Sequence, residues 1–242
     1  MFMTNAIILC SGGLDSVTLA YYVKKHEAPE KMILLFFDYG QRSLKEELFC
    51  VKKVAKVLHA EVKVIDLPWL AKISTALLNS NKKAPEVSLK DLENVEKERE
   101  VGKLWWVPCR NALFVVAGLA HAESLFLKEK KKYHVYLGIR SEGQVSYKDS
   151  SPAFLDAVNH LARECTQHGD YKILAPLMQY DKDEIVSLAQ QLHVPMEFTV
   201  SCYVAKGIKK VPVQCGVCPN CRQRQAAFYW ANVKDPTLYV KK

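Results

Sequence analysis

Ser11-Gly12-Gly13-Leu14-Asp15-Ser16 sits between an apolar run of strand length, residues 6–10 ending in Cys10, and a stretch where Leu14, Val17, Ala20 and Tyr21 recur at helical spacing. A strand, a glycine turn and a helix start in that order leave backbone N–H groups unpaired at the helix N-terminus. The macrodipole there favours negative charge, so phosphate is the natural ligand. Gly12 and Gly13 let the backbone approach such a ligand without a Cβ in the way. Ser11 and Ser16 add hydroxyls, and Asp15 is placed to cap the helix or to hold a Mg²⁺ that bridges phosphates. The stretch lacks the lysine and spacing of a Walker A loop, and it is not GxGxxG.

A second constellation is Cys202 with Cys215, Cys218 and Cys221. Four thiolates make a closed tetrahedral Zn²⁺ site, with close spacing letting neighbouring sulfurs reach one ion at about 2.3 Å, and the absence of an open position points to a structural ion. Two disulfides and an iron–sulfur cluster stay open as alternatives. The other four cysteines, Cys10, Cys50, Cys109 and Cys165, sit in apolar or helical contexts, a pattern of reduced thiols plus a metal site.

The elements that position these residues follow from the alternating periods. Residues 31–37 read as a strand ending in Asp38-Tyr39-Gly40-Gln41, followed by a helix announced by Ser43 and Glu46 as a capping box. Residues 61–66 read as a third strand, and the alternation predicts a parallel sheet with right-handed crossovers. Ligands of such sheets lie at the carboxyl ends of strands, which puts Ser11 and Asp38 on one crevice. Residues 68–103 are the least regular part and are expected to form a mobile loop that orders over substrate. Asn111 is the expected N-cap of the next helix, with Arg110 facing the crevice to fork onto phosphate or carboxylate. Lysines within 128–132 read as a solvated helix end. A fourth strand, residues 133–138, ends at Gly138, and a helix starts near Pro152. After a fifth strand at 172–174, Asp181 and Glu184 form a second capping box, with Lys182 in the first turn of its helix, where a cation opposes the dipole and so points to an anionic ligand. A last helix is expected over 221–231.

The chain has 242 residues and a formal net charge of +8, enough length for one substantial domain and a balance suited to anionic ligands. No apolar span is long enough to cross a bilayer, and no signal sequence opens the chain; a cytoplasmic protein without membrane contact is expected. The +8 charge and four cysteines also fit a nucleic-acid-binding zinc protein, but no interleaving of aromatic and basic residues supports it beyond Tyr203 and the basic loop 206–210, so no nucleic-acid partner is expected.

The wording of the loop resembles the SGGxDS pyrophosphate loop of the PP-loop ATP pyrophosphatases. Taken in order, SGGLDS, DYGQ, VPCRN, DKDEI, SCY and CGxCxxC with a following arginine resemble the QueC/ExsB family, the 7-cyano-7-deazaguanine synthases, over nearly the whole chain. The resemblance implies a Rossmann-like α/β fold of the adenine nucleotide alpha hydrolase type, a parallel sheet with helices on both faces, over residues 1–198. A small zinc-binding Cys₄ subdomain and C-terminal helix over 199–242 would follow. It also implies ATP, Mg²⁺ and Zn²⁺, a deazapurine carboxylate and ammonia as substrates, and a homodimer. Asp15, Arg110 and Lys182 would be catalytic. Cys10, Ser11, Gly12, Gly13, Leu14, Asp15, Ser16, Asp38, Gln41, Arg110, Asn111 and Gly138 would hold the nucleotide, and Cys202, Cys215, Cys218 and Cys221 the metal.

One segment departs from the family pattern. Where the family reads close to GxNxxDxSGYPDCRPEF, this chain keeps Gly138, Tyr147, Asp149, Pro152 and Phe154 but has Arg140, Gly143, Ser150, Ser151 and Ala153 at the Asn, first Asp, Cys, Arg and Glu positions. Arginine and glutamate are the types that pair with a carboxylate and with purine N–H donors. The expectation is a divergent synthase in which Arg140 or Glu142 takes over substrate contacts. The alternative is a relative that adenylates another carboxylate or joins a deazapurine to another amine.

Overall fold

A computed structural model describes residues 5–141, 147–167 and 170–240. Strands β1 (Asn5–Leu9), β2 (Met32–Asp38), β3 (Glu61–Asp66), β4 (Tyr133–Leu137) and β5 (Ile173–Leu174) form one sheet in the order β3-β2-β1-β4-β5, every pairing parallel. The chain builds outward from β1 to β3, then returns to place β4 on the other side of β1. Strand order therefore reverses between β1 and β4, where the connections diverge and leave a crevice.

The central strands β1, β2 and β4 are apolar at nearly every position because both faces are covered, the exceptions being Asn5 and Asp38 at strand ends and His134 within β4. Ala6, Ile8, Leu34, Phe36 and Tyr136 face one core, shared with α1 (Leu14–His26), α2 (Leu44–Leu58), α7 (Lys182–Gln191) and Phe228 of α8 (Pro219–Trp230). Ile7, Leu9, Ile33, Leu35, Phe37, Val135 and Leu137 face the other, under α5 (Arg110–Glu129) and α6 (Pro152–Cys165). Gly118 lets α5 lie close to the sheet: a Cβ there would stand 3.0 Å from Val135 Cγ1.

Four local expectations are revised. Ser43 precedes α2 but does not cap it; its hydroxyl donates to the Cys202 carbonyl at 2.9 Å and accepts from Ala205 N at 3.0 Å, while Glu46 accepts from Gly207 N. Distant backbone groups take the place of the local cap, the Cys202 carbonyl among them being buried with no water to turn to. Asn111 is not an N-cap either, since α5 begins at Arg110 and Cys109 holds the cap position at φ 54°. Residues 68–103 are more helical than expected, with α3 (Pro68–Ile73) and α4 (Val95–Lys103), the latter capped by Asn94 accepting from Lys97 N. The last helix starts at Pro219, whose missing N–H suits a first helical turn.

The box at Asp181 and Glu184 forms in both directions. Strands β6 (Val213–Gln214) and β7 (Leu238–Tyr239) make a separate two-stranded sheet beside α8. Among the described residues no helix is long and apolar enough to cross a membrane.

Candidate active site and metal centre

The carboxyl ends of β1, β2 and β4 open into a cavity of about 290 Å³, lined by Cys10, Ser11, Gly13, Leu14, Asp15, Ser16, Gln41, Arg110, Asn111, Gly138 and Lys182 among others. Eleven positions singled out from sequence thus meet in one place, although they are scattered over 173 positions of chain from Cys10 to Lys182.

The loop is held by its own hydroxyls. Ser11 Oγ lies 3.2 Å from Ser16 Oγ and accepts from Gly13 N, and Ser16 Oγ donates to the Gly13 carbonyl. Gly13 occupies the cap position, so Asp15 does not cap; it points across to α7, where Lys182 Nζ donates to both carboxylate oxygens at 2.6 Å. Arg140 Nε stands 3.8 Å from Asp15 Oδ2. Burial by itself would raise the Asp15 pKa, but the Lys182 ammonium and the Arg140 guanidinium more than offset it and hold the carboxyl below its usual value. Arg140 therefore sits on the loop side of the cavity, and Glu142 lies outside the described residues.

Two predicted ligands do not line the cavity. Gly12 has φ +76°, and a Cβ on it would fall 2.6 Å from the Glu47 carbonyl oxygen, so it is glycine for the sake of α2 packing. Asp38 accepts from Gly40 N at 3.0 Å and shapes the turn after β2. That turn matters indirectly, because it positions Gln41. The Gln41 amide accepts from Tyr39 N and donates to the Phe37 carbonyl and to Glu47 Oε2. Gly138 lines the cavity and also admits α1, since a Cβ would lie 3.1 Å from Ser16 Cα.

On the opposite wall Arg110 lies over the Tyr39 ring, 5.8 Å from its centroid, and Asn111 donates to the Asp149 carbonyl. Burial pushes the Tyr39 hydroxyl up to about 12, against the pull of Arg110. Sequence reasoning missed Glu47, Ser201, Tyr203, Asn220 and Gln223, all of which line the cavity. Glu47 gives no sequence signal: it is one more acidic residue in the first turn of an amphipathic helix. Tyr203 follows a predicted cysteine ligand and stacks on Trp105 at 4.4 Å.

Arg224, within the last helix, is fully buried. Its guanidinium donates to Thr199 Oγ1, Ser201 Oγ, the Met196 carbonyl and Asp235 Oδ1. This satisfies the donor fork of a buried cation, and it fixes the segment whose Val200 N–H bonds to the Gly12 carbonyl at 2.9 Å.

The four cysteines come together with their sulfurs all within 4.8 Å of one another, and Cys215 and Cys221 sulfurs are 3.9 Å apart. Four sulfurs at about 2.3 Å from one ion would stand roughly 3.8 Å apart at tetrahedral angles, so the spacing fits a single ion. Sulfurs on four separate irons of a cluster would be spread wider. Backbone N–H groups of Val204 and Cys215 point at Cys202 Sγ, and those of Val217 and Cys218 at Cys215 Sγ, a donor set that favours thiolates. All eight cysteines of the chain are free thiols.

The chain is 36% identical over 241 residues to the 7-cyano-7-deazaguanine synthase of Methanosphaera stadtmanae, covering 98% of this chain and 99% of that one. It is 34% identical over 240 residues to the enzyme of the same name from Methanobrevibacter smithii, covering 99% of each. Among solved structures, the U34-tRNA thiolase NcsA from Methanococcus maripaludis with its [4Fe-4S] cluster superposes with a TM-score of 0.47 at 16% identity, covering 96% of this chain and 67% of that one, a likeness that carries no argument about this site. The family model described as "Queuosine biosynthesis protein QueC" matches residues 5–232, and with a pyrophosphate-type loop, a VPCRN helix start and a four-cysteine centre meeting around one cavity, the chain belongs to the QueC family.

Proposed function

We propose that this protein is an ATP-dependent synthase that converts 7-carboxy-7-deazaguanine and ammonia into 7-cyano-7-deazaguanine. The observation that carries the reading is the single cavity in which a phosphate-type loop, the Asp15–Lys182 pair and the Arg110 wall converge, in a chain of the QueC family.

In this reading the substrate carboxylate attacks the α-phosphorus of ATP and pyrophosphate leaves. Ammonia then attacks the acyl carbon, AMP departs, and an amide remains. A second ATP activates the amide oxygen, and loss of AMP and two protons gives the nitrile. Adenylation turns a poor leaving group, carboxylate oxygen, into a good one. The N–H groups at the start of α1, with Ser11 and Ser16, receive the leaving pyrophosphate. Lys182 moves from Asp15 onto the phosphates as they enter, and Arg110 orients the carboxylate or the α-phosphate. Asp15, once released by Lys182, is the carboxylate suited to hold Mg²⁺, an ion that supplies charge neutralisation between phosphates. Cys202, Cys215, Cys218 and Cys221 are proposed to hold a structural Zn²⁺. The division into a catalytic part, 1–198, and a metal-binding part, 199–242, the homodimer and a cytoplasmic location are proposals of the same standing; sedimentation of the purified protein tests the second.

The deciding experiment incubates the protein with ATP, Mg²⁺, ammonium and 7-carboxy-7-deazaguanine and follows AMP and the base by mass spectrometry. Nitrile formation that is lost in Asp15→Ala supports the reading. AMP release without nitrile moves the assignment to a relative acting on another carboxylate or amine, and no AMP from folded, metal-loaded protein overturns both.

A further inference from the structure

The cavity wall holds a carboxylate that the proposed chemistry leaves without a task. Among the described residues only two carboxylates, Asp15 and Glu47, line the cavity. Lys182 occupies both oxygens of Asp15. Glu47 is held differently: Gln41 Nε2 donates to its Oε2 at 3.0 Å, and Gln41 is itself fixed by the Phe37 carbonyl and Tyr39 N–H. Each carboxylate oxygen accepts two bonds, so a carboxylate oriented in this way retains acceptor capacity toward the cavity.

We propose that Glu47 reads the base, accepting the adjacent ring N–H and exocyclic amino N–H of a 2-amino-4-oxopyrimidine edge. The assignment rests on the synthase reading above and deepens it by naming a specificity residue.

Edge chemistry selects this ligand over the nucleotide. The adenine edge of ATP offers one amino donor beside a ring nitrogen lone pair, which would repel an acceptor-only group. A guanine-type edge offers two neighbouring donors that match two carboxylate oxygens. The departures in the 138–154 segment agree with a relocated acceptor. Ser151 caps α6 by accepting from Phe154 N, and Ala153 is exposed on that helix and does not line the cavity.

The electrostatic setting is consistent with a group waiting for donors. Burial raises the Glu47 carboxyl to about 7; the Gln41 amide and the Arg110 guanidinium pull it down, and Glu46 on the same helix pushes it up. Tyr39 from the β2 turn and Cys50 one helical turn on also face it. Two N–H donors arriving with the base would favour the charged form.

The test compares wild type with Glu47→Gln, an isosteric change, in steady-state assays with 7-carboxy-7-deazaguanine and with its analogue lacking the 2-amino group. The expected result is a rise of about tenfold or more in KM for the aminated base, with KM for ATP unchanged and discrimination against the analogue lost. Wild-type KM for the base should fall as pH rises through about 7, and that dependence should flatten in the variant. An unchanged base KM with discrimination intact overturns the assignment, as does a rise confined to KM for ATP. Thermal melting that matches wild type guards against misfolding. If wild type itself turns over neither base, the synthase reading fails, a result distinct from failure at Glu47.

Discussion

Asp15 and Lys182 are separated by 167 positions, and what brings them together is the placement of α1 and α7 side by side on one face of the sheet. The capping box at Asp181 was readable because it is a local pattern, and the box fixes where the next residue points. The lysine in the first turn of this helix led to the expectation of an anionic ligand; its pairing with Asp15 was not readable, because ion pairs between distant segments leave no periodic trace. The pair makes stability depend on pH. Folding lowers the Asp15 pKa, so its ionisation stabilises the fold above the ordinary aspartate range, near pH 4, and this contribution is lost as pH falls through the lower folded value. Wild type should exceed Asp15→Asn by about 1–2 kcal/mol in urea unfolding at pH 7. The gap should close as the pH is lowered from about 5 toward 2, and a gap that stays constant would mean the pair is not formed in solution.

At the scale of elements, the pyrophosphate-type turn is built as much by its neighbours as by its own residues. The SGGLDS pattern identifies strand, turn and helix correctly, yet it does not tell that Gly12 is packed against the backbone of α2. Gly12→Ala should cost about 3 kcal/mol, or roughly 10 °C in Tm, from the positive φ and the close approach to the Glu47 carbonyl together. Gly207→Ala is the matching control, since Gly207 also has positive φ but nothing within 4 Å of its missing Cβ; only the backbone strain, about 1 kcal/mol, should appear there. Equal melting temperatures for the two variants would remove the packing argument. The segment 68–103 looked irregular because its charged residues mask helical periodicity; α4 buries no side chain. It is instead tied down from outside. Val87 N–H bonds to the Val217 carbonyl, Arg222 Nε to the Val87 carbonyl, and Gln223 to Glu98. If the four cysteines hold the proposed Zn²⁺, a chelator should therefore raise amide hydrogen exchange over 87–103 as well as over 202–221, with β1 and β4 still protected. Exchange confined to the cysteine segment would show that α4 is held independently.

For the molecule as a whole, the α/β class and the parallel sheet followed from alternating periods and strand-length apolar runs, because strands covered on both faces read as near-continuous apolar segments. The walls of the cavity were less legible. Glu47, Tyr203 and Gln223 come from the first turn of α2, a cysteine-bearing turn and the last helix, and only the three-dimensional path of residues 199–240 puts them at one opening. That path also sets a timetable. The carbonyl of Gly12 meets the N–H of Val200, Ser43 meets Cys202 and Ala205, and the clamp around Arg224 reaches to Asp235. At about 5–20 residues per second, a ribosome needs on the order of ten seconds or more to travel from the first of these partners to the last. Throughout that interval the nascent chain has the residues of the loop without those of the opposite wall, and the contacts of high sequence separation close last. A message broken between codons 17 and 200 would thus yield a fragment that has the SGGLDS loop in sequence yet lacks the wall that completes the cavity.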